Sequence, residues 1–255
     1  MNRAVRVEWW KLKRSPVTVT ATALMVILLP AMALGFYSVA QQGGTGPLAQ
    51  KAGAFLIGEG WEGYLGAVDQ IAAAAMFLGT GFVVAWTFGR EHTDRTFPSL
   101  FALPVSRTSI AGAKFLVLAG WITLLSLLVV AVSLGIGVAA GVGPIQTAVI
   151  GPALLRLLAI SLSTSMLSLT IGLVASVGRG YLPAVGALIL IVVAAQMSVL
   201  FGIGGWFPFA IPGLIAVSGS EGAPVLIPMQ IALVPIATAV GLWFTVRWWR
   251  RAEVV

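Results

Sequence analysis

Residues 115–155 read FLVLAGWITLLSLLVVAVSLGIGVAAGVGPIQTAVIGPALL and contain no Asp, Glu, Lys or Arg. A helix that crosses a lipid bilayer needs about 20 mostly apolar residues, so this stretch is too long for one crossing. Gly141, Gly143 and Pro144 interrupt it and separate one apolar segment from the start of the next. The stretch therefore predicts consecutive membrane-spanning helices.

The composition of the whole chain agrees with that interpretation. Of its 255 residues, 59% are hydrophobic and 9% are charged, whereas soluble domains have roughly 25% charged residues. So few charges could not cover the surface of a water-soluble fold of this size. Cysteine is absent, which excludes disulfides and zinc–thiolate sites. We expect an all-α polytopic membrane protein with no soluble domain.

The length rule, applied along the chain, predicts six membrane-spanning helices. They cover residues 17–40, 70–88, 115–140, 153–177, 181–203 and 225–246. The other named segments are an N-terminal flank (1–15), an inner loop (89–114), an outer hairpin (204–222) and a C-terminal tail (247–255). Residues 1–255 thus form a single predicted membrane domain, whose outer loop at 41–69 holds Glu59, Glu62 and Asp69.

The Lys and Arg residues predict the orientation. With six spans, thirteen of them fall on the side that holds both termini and only Lys51 falls on the other. Because cytoplasmic loops carry the excess of cations, both termini are predicted to be cytoplasmic. Arg156, inside the fourth predicted span, is expected to extend to the outer surface. Most Trp and Tyr residues lie at predicted interfaces, with Trp121 as the exception.

The first fifteen residues mix cations with Trp, Leu and Val, and Pro16 follows them. This pattern fits a helix lying flat in the inner interface, or a charged flank that only sets the topology. Ser38-Val39-Ala40 resembles a signal-peptidase site. Since the uncharged stretch at 17–40 exceeds the roughly 7–15 residues of a signal core, we expect an uncleaved first helix.

The longest inner loop, residues 89–114, reads GREHTDRTFPSLFALPVSRTSIAGAK. Residues of mixed charge are followed by a short apolar stretch at 100–105. An exposed apolar stretch of this kind indicates a docking surface for a partner, and the alternative is packing against the loop's own helix ends. The single histidine, His92, has only Glu91 and Asp94 nearby, which is too little for zinc binding or acid–base chemistry.

Two further segments are candidates for packing or transport. The fourth predicted span has a stripe of small residues on one helical face, which indicates close helix packing or, less often, a translocation surface. The stripe consists of Ser161, Ser165, Ser168, Gly172 and Ser176. The Gly- and Pro-rich outer hairpin (204–222) fits a re-entrant or interfacial segment, with a plain outer loop as the alternative.

Two absences bear on the energy source. No Asp or Glu is predicted inside a span away from its end, whereas proton- or sodium-coupled carriers usually keep such acids. The chain also has no G-x-x-x-x-G-K-[ST] phosphate loop. If the protein transports a compound against a gradient, the sequence predicts that another polypeptide supplies the energy.

These segments resemble the permease subunit of ABC-2 type ATP-binding-cassette exporters, the group that contains bacitracin, lantibiotic and multidrug efflux permeases. The resemblance rests on the N-terminal segment, the inner loop and the Pro-rich outer hairpin. The inner loop is the most specific of the three, since it resembles a family pattern of an acidic residue, Gly-Thr, two leucines, Pro-Val-Ser-Arg and a later lysine. It departs from that pattern at Arg95 and Phe101.

The resemblance implies that residues 1–15 form an elbow helix and that the inner loop holds a coupling helix, which seats in a groove of a separate ATPase. The residues implied to couple are Glu91, Arg95, Leu100, Leu103, Pro104, Val105 and Arg107. It also implies that two permeases pair, as identical copies or as sister chains, each with one ATPase. ATP and Mg would bind to that ATPase, and this chain would hold no cofactor, metal or catalytic residue.

We therefore expect a permease subunit that exports an amphipathic or hydrophobic compound, such as a drug, an antimicrobial peptide or a lipid-like molecule. Its expected location is a bacterial cytoplasmic membrane, with no nucleic-acid partner. One alternative is a carrier or channel that works without an ATPase. Another is a membrane-embedded enzyme, which would need converging nucleophile, base or metal ligands within the spans.

Overall fold

The computed structural model describes residues 2–42, 46–54, 56, 58–94, 96, 105–220 and 222–251. Within these residues the fold is helical, without a β-strand, and six helices are long and apolar enough to cross a membrane. The predicted all-α fold with six membrane-spanning helices is confirmed.

The helices follow one another along the chain with short connections. The six long ones are α2, α4, α5, α6, α7 and α9. The helices of the described residues are α1 (Asn2–Lys13), α2 (Pro16–Gln41), α3 (Pro47–Ala54), α4 (Gly60–Thr93), α5 (Arg107–Ala139), α6 (Thr147–Val177), α7 (Tyr181–Leu200), α8 (Ile211–Ala216) and α9 (Pro228–Arg251).

Serine caps begin two of the membrane helices. The Ser15 hydroxyl accepts a hydrogen bond from the backbone N–H of Thr18, and Pro16 takes the first helical position of α2. The Ser106 hydroxyl accepts one from the backbone N–H of Ser109 at the start of α5. These caps fix the points at which the chain enters α2 and α5.

Helix α4 lies at the centre of the bundle and packs against α2, α5, α6 and α7. It begins at Gly60, before the predicted start at residue 70, because its first turns are buried against α5. There the Tyr64 hydroxyl donates to the backbone carbonyl of Ser133, and the Trp61 indole donates to that of Gly143, each at 3.0 Å. Glu62 and Asp69, predicted to lie in an outer loop, are therefore inside a helix.

Close backbone contact fixes the other end of α4. A Cβ at Gly89 would collide with the backbone of Gly180 and Tyr181, in the turn between α6 and α7. Only glycine permits this approach, so α4 and that turn lie in direct contact. The predicted inner loop is accordingly shorter than residues 89–114, because α4 continues to Thr93 and α5 already begins at Arg107.

Two other predicted features are located by the fold. Trp121, which seemed misplaced inside a span, is buried and its indole donates to the Thr22 hydroxyl of α2 at 3.1 Å. The outer hairpin forms a 3₁₀ turn (Gly204–Trp206) and then α8, whose buried residues pack against α4 and α6. A re-entrant path for this hairpin stays a prediction.

Candidate functional site

Four charged side chains meet where α1, α4 and α5 come together, and we call them the four-charge cluster: Glu8, Lys11, Glu91 and Lys114. The Lys114 ammonium group lies at its centre. It donates to Glu8 Oε2 at 3.1 Å, to Glu91 Oε1 at 2.9 Å and to the backbone carbonyl of Thr87 at 3.0 Å. All three N–H groups of this lysine therefore have acceptors.

Lys11 completes the cluster from α1. Its ammonium group donates to Glu8 Oε1 at 2.9 Å and to Glu91 Oε1 at 3.1 Å. Two carboxylates thus face two ammonium groups, and each of the four charges contacts both charges of the opposite sign. The cluster as a whole carries no net charge.

Burial makes this balance necessary. The side chains of Lys114 and Glu91 are 1% and 2% exposed. A buried charge costs several kcal/mol unless it has partners, and removal of one partner leaves another charge uncompensated. At Lys11, burial lowers the pKa, but the carboxylates of Glu8 and Glu91 outweigh that effect and raise the pKa above its ordinary value. Lys11 therefore stays protonated at physiological pH.

The cluster lies at both ends of the connecting segment, residues 94–106, which joins α4 to α5. Glu91 is in the last turn of α4, and Lys114 is near the start of α5. Glu8 and Lys11 attach α1 to the same point. The ionic contacts therefore hold α1 to the end of α4 and the start of α5, the two helices that the connecting segment joins.

A second buried ion pair lies toward the other end of α4. Arg156 of α6 donates from Nε to Asp69 Oδ2 at 2.6 Å, and the Asp69 side chain is fully buried. Two expectations are corrected here. Arg156 does not simply extend to the outer surface, because it has an acidic partner in the bundle, and Asp69 is an acid inside a membrane helix, away from its ends.

The small-residue stripe of α6 faces the chain's own helices. Ser168 accepts a hydrogen bond from the Thr80 hydroxyl of α4 at 2.9 Å, and Ser176 accepts one from the Trp249 indole of α9. A Cβ at Gly172 would lie 3.0 Å from the Phe88 ring. Ser161 and Ser165 are also fully buried. The stripe thus lies at contacts between α6 and its neighbours within one chain.

A family model described as an ABC-2 family transporter protein matches residues 4–195, well over half of the chain and including the whole four-charge cluster. This chain belongs to the ABC-2 transporter family. The resemblance expected from the inner loop is thereby confirmed. With six apolar helices, this ABC-2 family member is a multi-pass membrane protein. A comparison with curated proteins found no match.

The described part of this ABC-2 family chain includes only some of the predicted coupling residues. Glu91 belongs to the four-charge cluster, Val105 is 39% exposed just before the α5 cap, and Arg107 is the first residue of α5. Arg95, Leu100, Leu103 and Pro104 lie outside the described residues. A coupling role for all seven stays a prediction.

The predicted site omitted three of the four residues in the cluster. Glu8, Lys11 and Lys114 were noted in the sequence only as parts of family segments or as topology signals. Two of their contacts, Lys11–Glu91 and Lys114–Glu8, join positions 80 and 106 residues apart, which no local pattern reveals. A usable signal was Glu8, since it shares the buried face of α1 with Leu12 and an acid there needs a cationic partner.

His92 packs beside an aromatic ring. Its ring centroid lies 6.2 Å from that of Trp248 in α9, while the carboxylate of the adjacent Glu91 is held by Lys11 and Lys114. Among the described residues, no group of three or more His, Cys, Asp or Glu side chains is placed to hold a metal ion.

Proposed function

We propose that this ABC-2 family protein is the permease subunit of an exporter in a bacterial cytoplasmic membrane. It moves an amphipathic or hydrophobic compound outward, and a separate ABC ATPase binds ATP and Mg and supplies the energy. Two permeases, identical or sister chains, form the transport unit. The family match supports a transport role in general, while the partner, the pairing and the substrate class are our proposal.

The four-charge cluster carries the proposal, because it connects the segment that would contact the ATPase to the membrane helices. A push on the connecting segment acts on α4 through Thr93 and on α5 through Arg107. Since Lys114 holds Glu8 and Glu91 at once, α1, α4 and α5 respond as one unit. Buried, multiply bonded contacts of this kind resist separation and transmit rigid-body motion.

The proposed orientation has both termini in the cytoplasm. Lys11 of α1 contacts Glu91 of α4, and Trp248 of α9 contacts His92 of α4, so both terminal helices meet the same end of α4. Most cations of the chain belong to that end, which supports its placement on the cytoplasmic side.

Because of Asp69, a carrier that works without an ATPase is a second candidate function. A buried acid in a membrane helix is a common feature of ion-coupled carriers. Here the acid is paired with Arg156 at 2.6 Å, which reduces its capacity to bind a cation. Transport in liposomes that contain only this chain and an ion gradient would favour this candidate over the exporter subunit.

The exporter proposal is tested by co-purification with the candidate ATPase. Val105→Asp places a charge on the exposed apolar end of the connecting segment. We expect it to reduce recovery of the ATPase at least about tenfold, which corresponds to roughly 1.4 kcal/mol of binding free energy. Val225→Asp is the matched control, because Val225 is 92% exposed before α9, at the opposite end of that helix from Trp248.

Equal recovery of the ATPase with both variants would contradict the assignment of the connecting segment. ATP-dependent uptake into inside-out vesicles, measured with a panel of amphipathic dyes, then tests transport itself. It should require the chain and the ATPase together, and transport by the chain alone would overturn the proposal.

A further inference from the structure

A groove of about 860 Å³ lies between α1 and α4, beside the four-charge cluster, from which only Lys11 lines it. Arg6 and Trp10 of α1 line it together with Arg14, which directly follows α1 and still donates its backbone N–H to the Trp10 carbonyl at 3.2 Å. The spacing of four residues therefore places all three on one helical face. Trp86 and Arg90 line it from α4 with the same spacing. We call this feature the arginine groove.

Two Arg–Trp stacks shape the arginine groove. The guanidinium carbon of Arg14 lies 4.1 Å from the centre of the Trp10 ring, and that of Arg90 lies 4.6 Å from the centre of the Trp86 ring. Stacking orients a guanidinium plane without using its N–H donors, which keep the fork geometry that matches a phosphate. Each side of the groove thus presents one ordered cation, Arg14 just after α1 and Arg90 in α4.

These cations are available for a ligand. Among the described residues, no acceptor forms a hydrogen bond or salt bridge with the side chains of Arg6, Arg14 or Arg90. The part of the chain that the structure describes contributes no acidic residue to the lining of the groove. The neighbouring acids Glu8 and Glu91 are already held by Lys11 and Lys114. The groove therefore keeps a positive charge that favours an anion.

The surroundings indicate an anion that is part of a lipid. Pro16, which begins the first membrane helix, also lines the groove, so the site lies at the level of a membrane interface. Tryptophan side chains favour that level. Val7 in the groove and Val19, one turn beyond Pro16, are 52% and 57% exposed and offer an apolar surface next to the cations.

We propose that the arginine groove binds the phosphate headgroup of an anionic phospholipid from the leaflet in which α1 lies. The phosphate would sit between the guanidinium groups of Arg14 and Arg90, and an acyl chain would follow the exposed side of α2. Basic pockets between membrane helices bind anionic headgroups by this chemistry. The inference goes beyond the exporter proposal, since it requires neither an ATPase nor a direction of transport.

Native mass spectrometry of the purified full chain tests the proposal, with phosphatidylglycerol and phosphatidylcholine of equal acyl length as probes. We expect tighter binding of phosphatidylglycerol. Arg14→Gln/Arg90→Gln should weaken that binding roughly 30-fold, because each cation near an anionic lipid contributes about a factor of five. Arg247→Gln/Arg250→Gln is the control, because it removes the same charge and includes an arginine that lies over Trp243, outside the groove.

The conservative pair Arg14→Lys/Arg90→Lys keeps the charge but loses the planar fork, so it should fall between wild type and the glutamine pair. If the glutamine pair does not fold, the proposal is tested by the lipid binding of the lysine pair and by the preference of the wild type for phosphatidylglycerol. Equal binding of both lipids by wild type, or equal loss in the groove and control variants, would overturn the proposal. So would displacement of the lipid by an equal concentration of glycerol phosphate, which would indicate a site for free phosphate compounds.

Discussion

Helix α4 holds a buried acid toward each end, and the two acids have very different surroundings. Glu91 shares two ammonium groups with a second carboxylate, and its contacts connect α1, α4 and α5. Asp69 has one cationic partner, Arg156, and connects only α4 and α6. Each acid also has one buried oxygen without a hydrogen-bond partner among the described residues, Asp69 Oδ1 and Glu91 Oε2. Buried charge therefore acts as a junction of three helices at one end and as a single pair at the other.

The difference shows how redundancy changes the role of a buried ion. When Lys11 is lost from the cluster, both carboxylates still contact Lys114. When either member of the Asp69–Arg156 pair is lost, the other has no ionic partner left among the described residues. We therefore expect the cluster to tolerate the loss of its outer member, Lys11, but not of its central one, Lys114, and mutations can test this order.

The largest effect is expected for Lys114→Met. This change removes the central cation and leaves Glu8 and Glu91 buried with Lys11 alone, so the free energy of unfolding should fall by about 3–5 kcal/mol. Denaturation of the purified protein in detergent, followed by tryptophan fluorescence, measures this. The exposed residue Lys13 provides the control, since Lys13→Met should change stability by less than about 0.5 kcal/mol. Similar losses in both variants would show that the cluster is not a structural junction.

A smaller effect is expected for Gly89→Ala, which tests whether backbone contact also holds the Glu91 end of α4. The added methyl group would collide with the backbone of Gly180 and Tyr181, and overpacking of this kind costs about 1–3 kcal/mol. Gly120→Ala in α5 is the matched control, because a Cβ there meets no atom within 4 Å. If the melting temperatures of the two variants fall equally, α4 and the α6–α7 turn are not in the close contact described.

Asp69→Asn sharpens the comparison at the other end of α4. It should destabilise the protein by roughly 1–2 kcal/mol, less than Lys114→Met, because Arg156 is 25% exposed and can reach solvent once its partner is neutral. The double variant Asp69→Leu/Arg156→Met should recover most of that loss, since an apolar replacement of a buried pair is often neutral. Denaturation midpoints of both variants give the test, and a double variant less stable than Asp69→Asn would contradict it.

The smallest effect is expected for Lys11→Met, which removes the outer cation and leaves Lys114 in place. We expect the free energy of unfolding to fall by about 1 kcal/mol or less, since Lys11 is partly exposed.

The pH dependence of this effect tests the ionic contacts of Lys11. Its pKa is raised above 10.5, so its contribution to stability is fully present below that pH and is lost only as pH rises through the raised value. The difference in melting temperature between wild type and Lys11→Met should therefore stay constant from about pH 7 to pH 9. A difference that shrinks within this range would show that the carboxylates do not hold the proton on Lys11.

The sequence predicted the membrane helices well because apolar length is a local property. It predicted the start of α4 poorly, because Trp61 and Tyr64 are held by backbone carbonyls more than 60 residues away. The same cause explains why the sequence did not predict the ion pair of Arg156. Its partner, Asp69, is in the part of α4 that was predicted to be a loop. At the cluster, the sequence showed each charge but not the pairing, since the four residues come from three distant helices. Local pattern thus located the helices, and tertiary contact decided which charges meet.

The balance of charge in the two ionic groups has an electrical consequence. Both sum to zero, because two acids face two lysines at one end of α4 and one acid faces one arginine at the other. A single charge that crosses the whole bilayer exchanges about 2.3 kcal/mol with a potential of 100 mV. A neutral group that shifts as a unit exchanges almost none. The two ionic groups themselves thus add almost nothing to the voltage dependence of a motion that carries them intact.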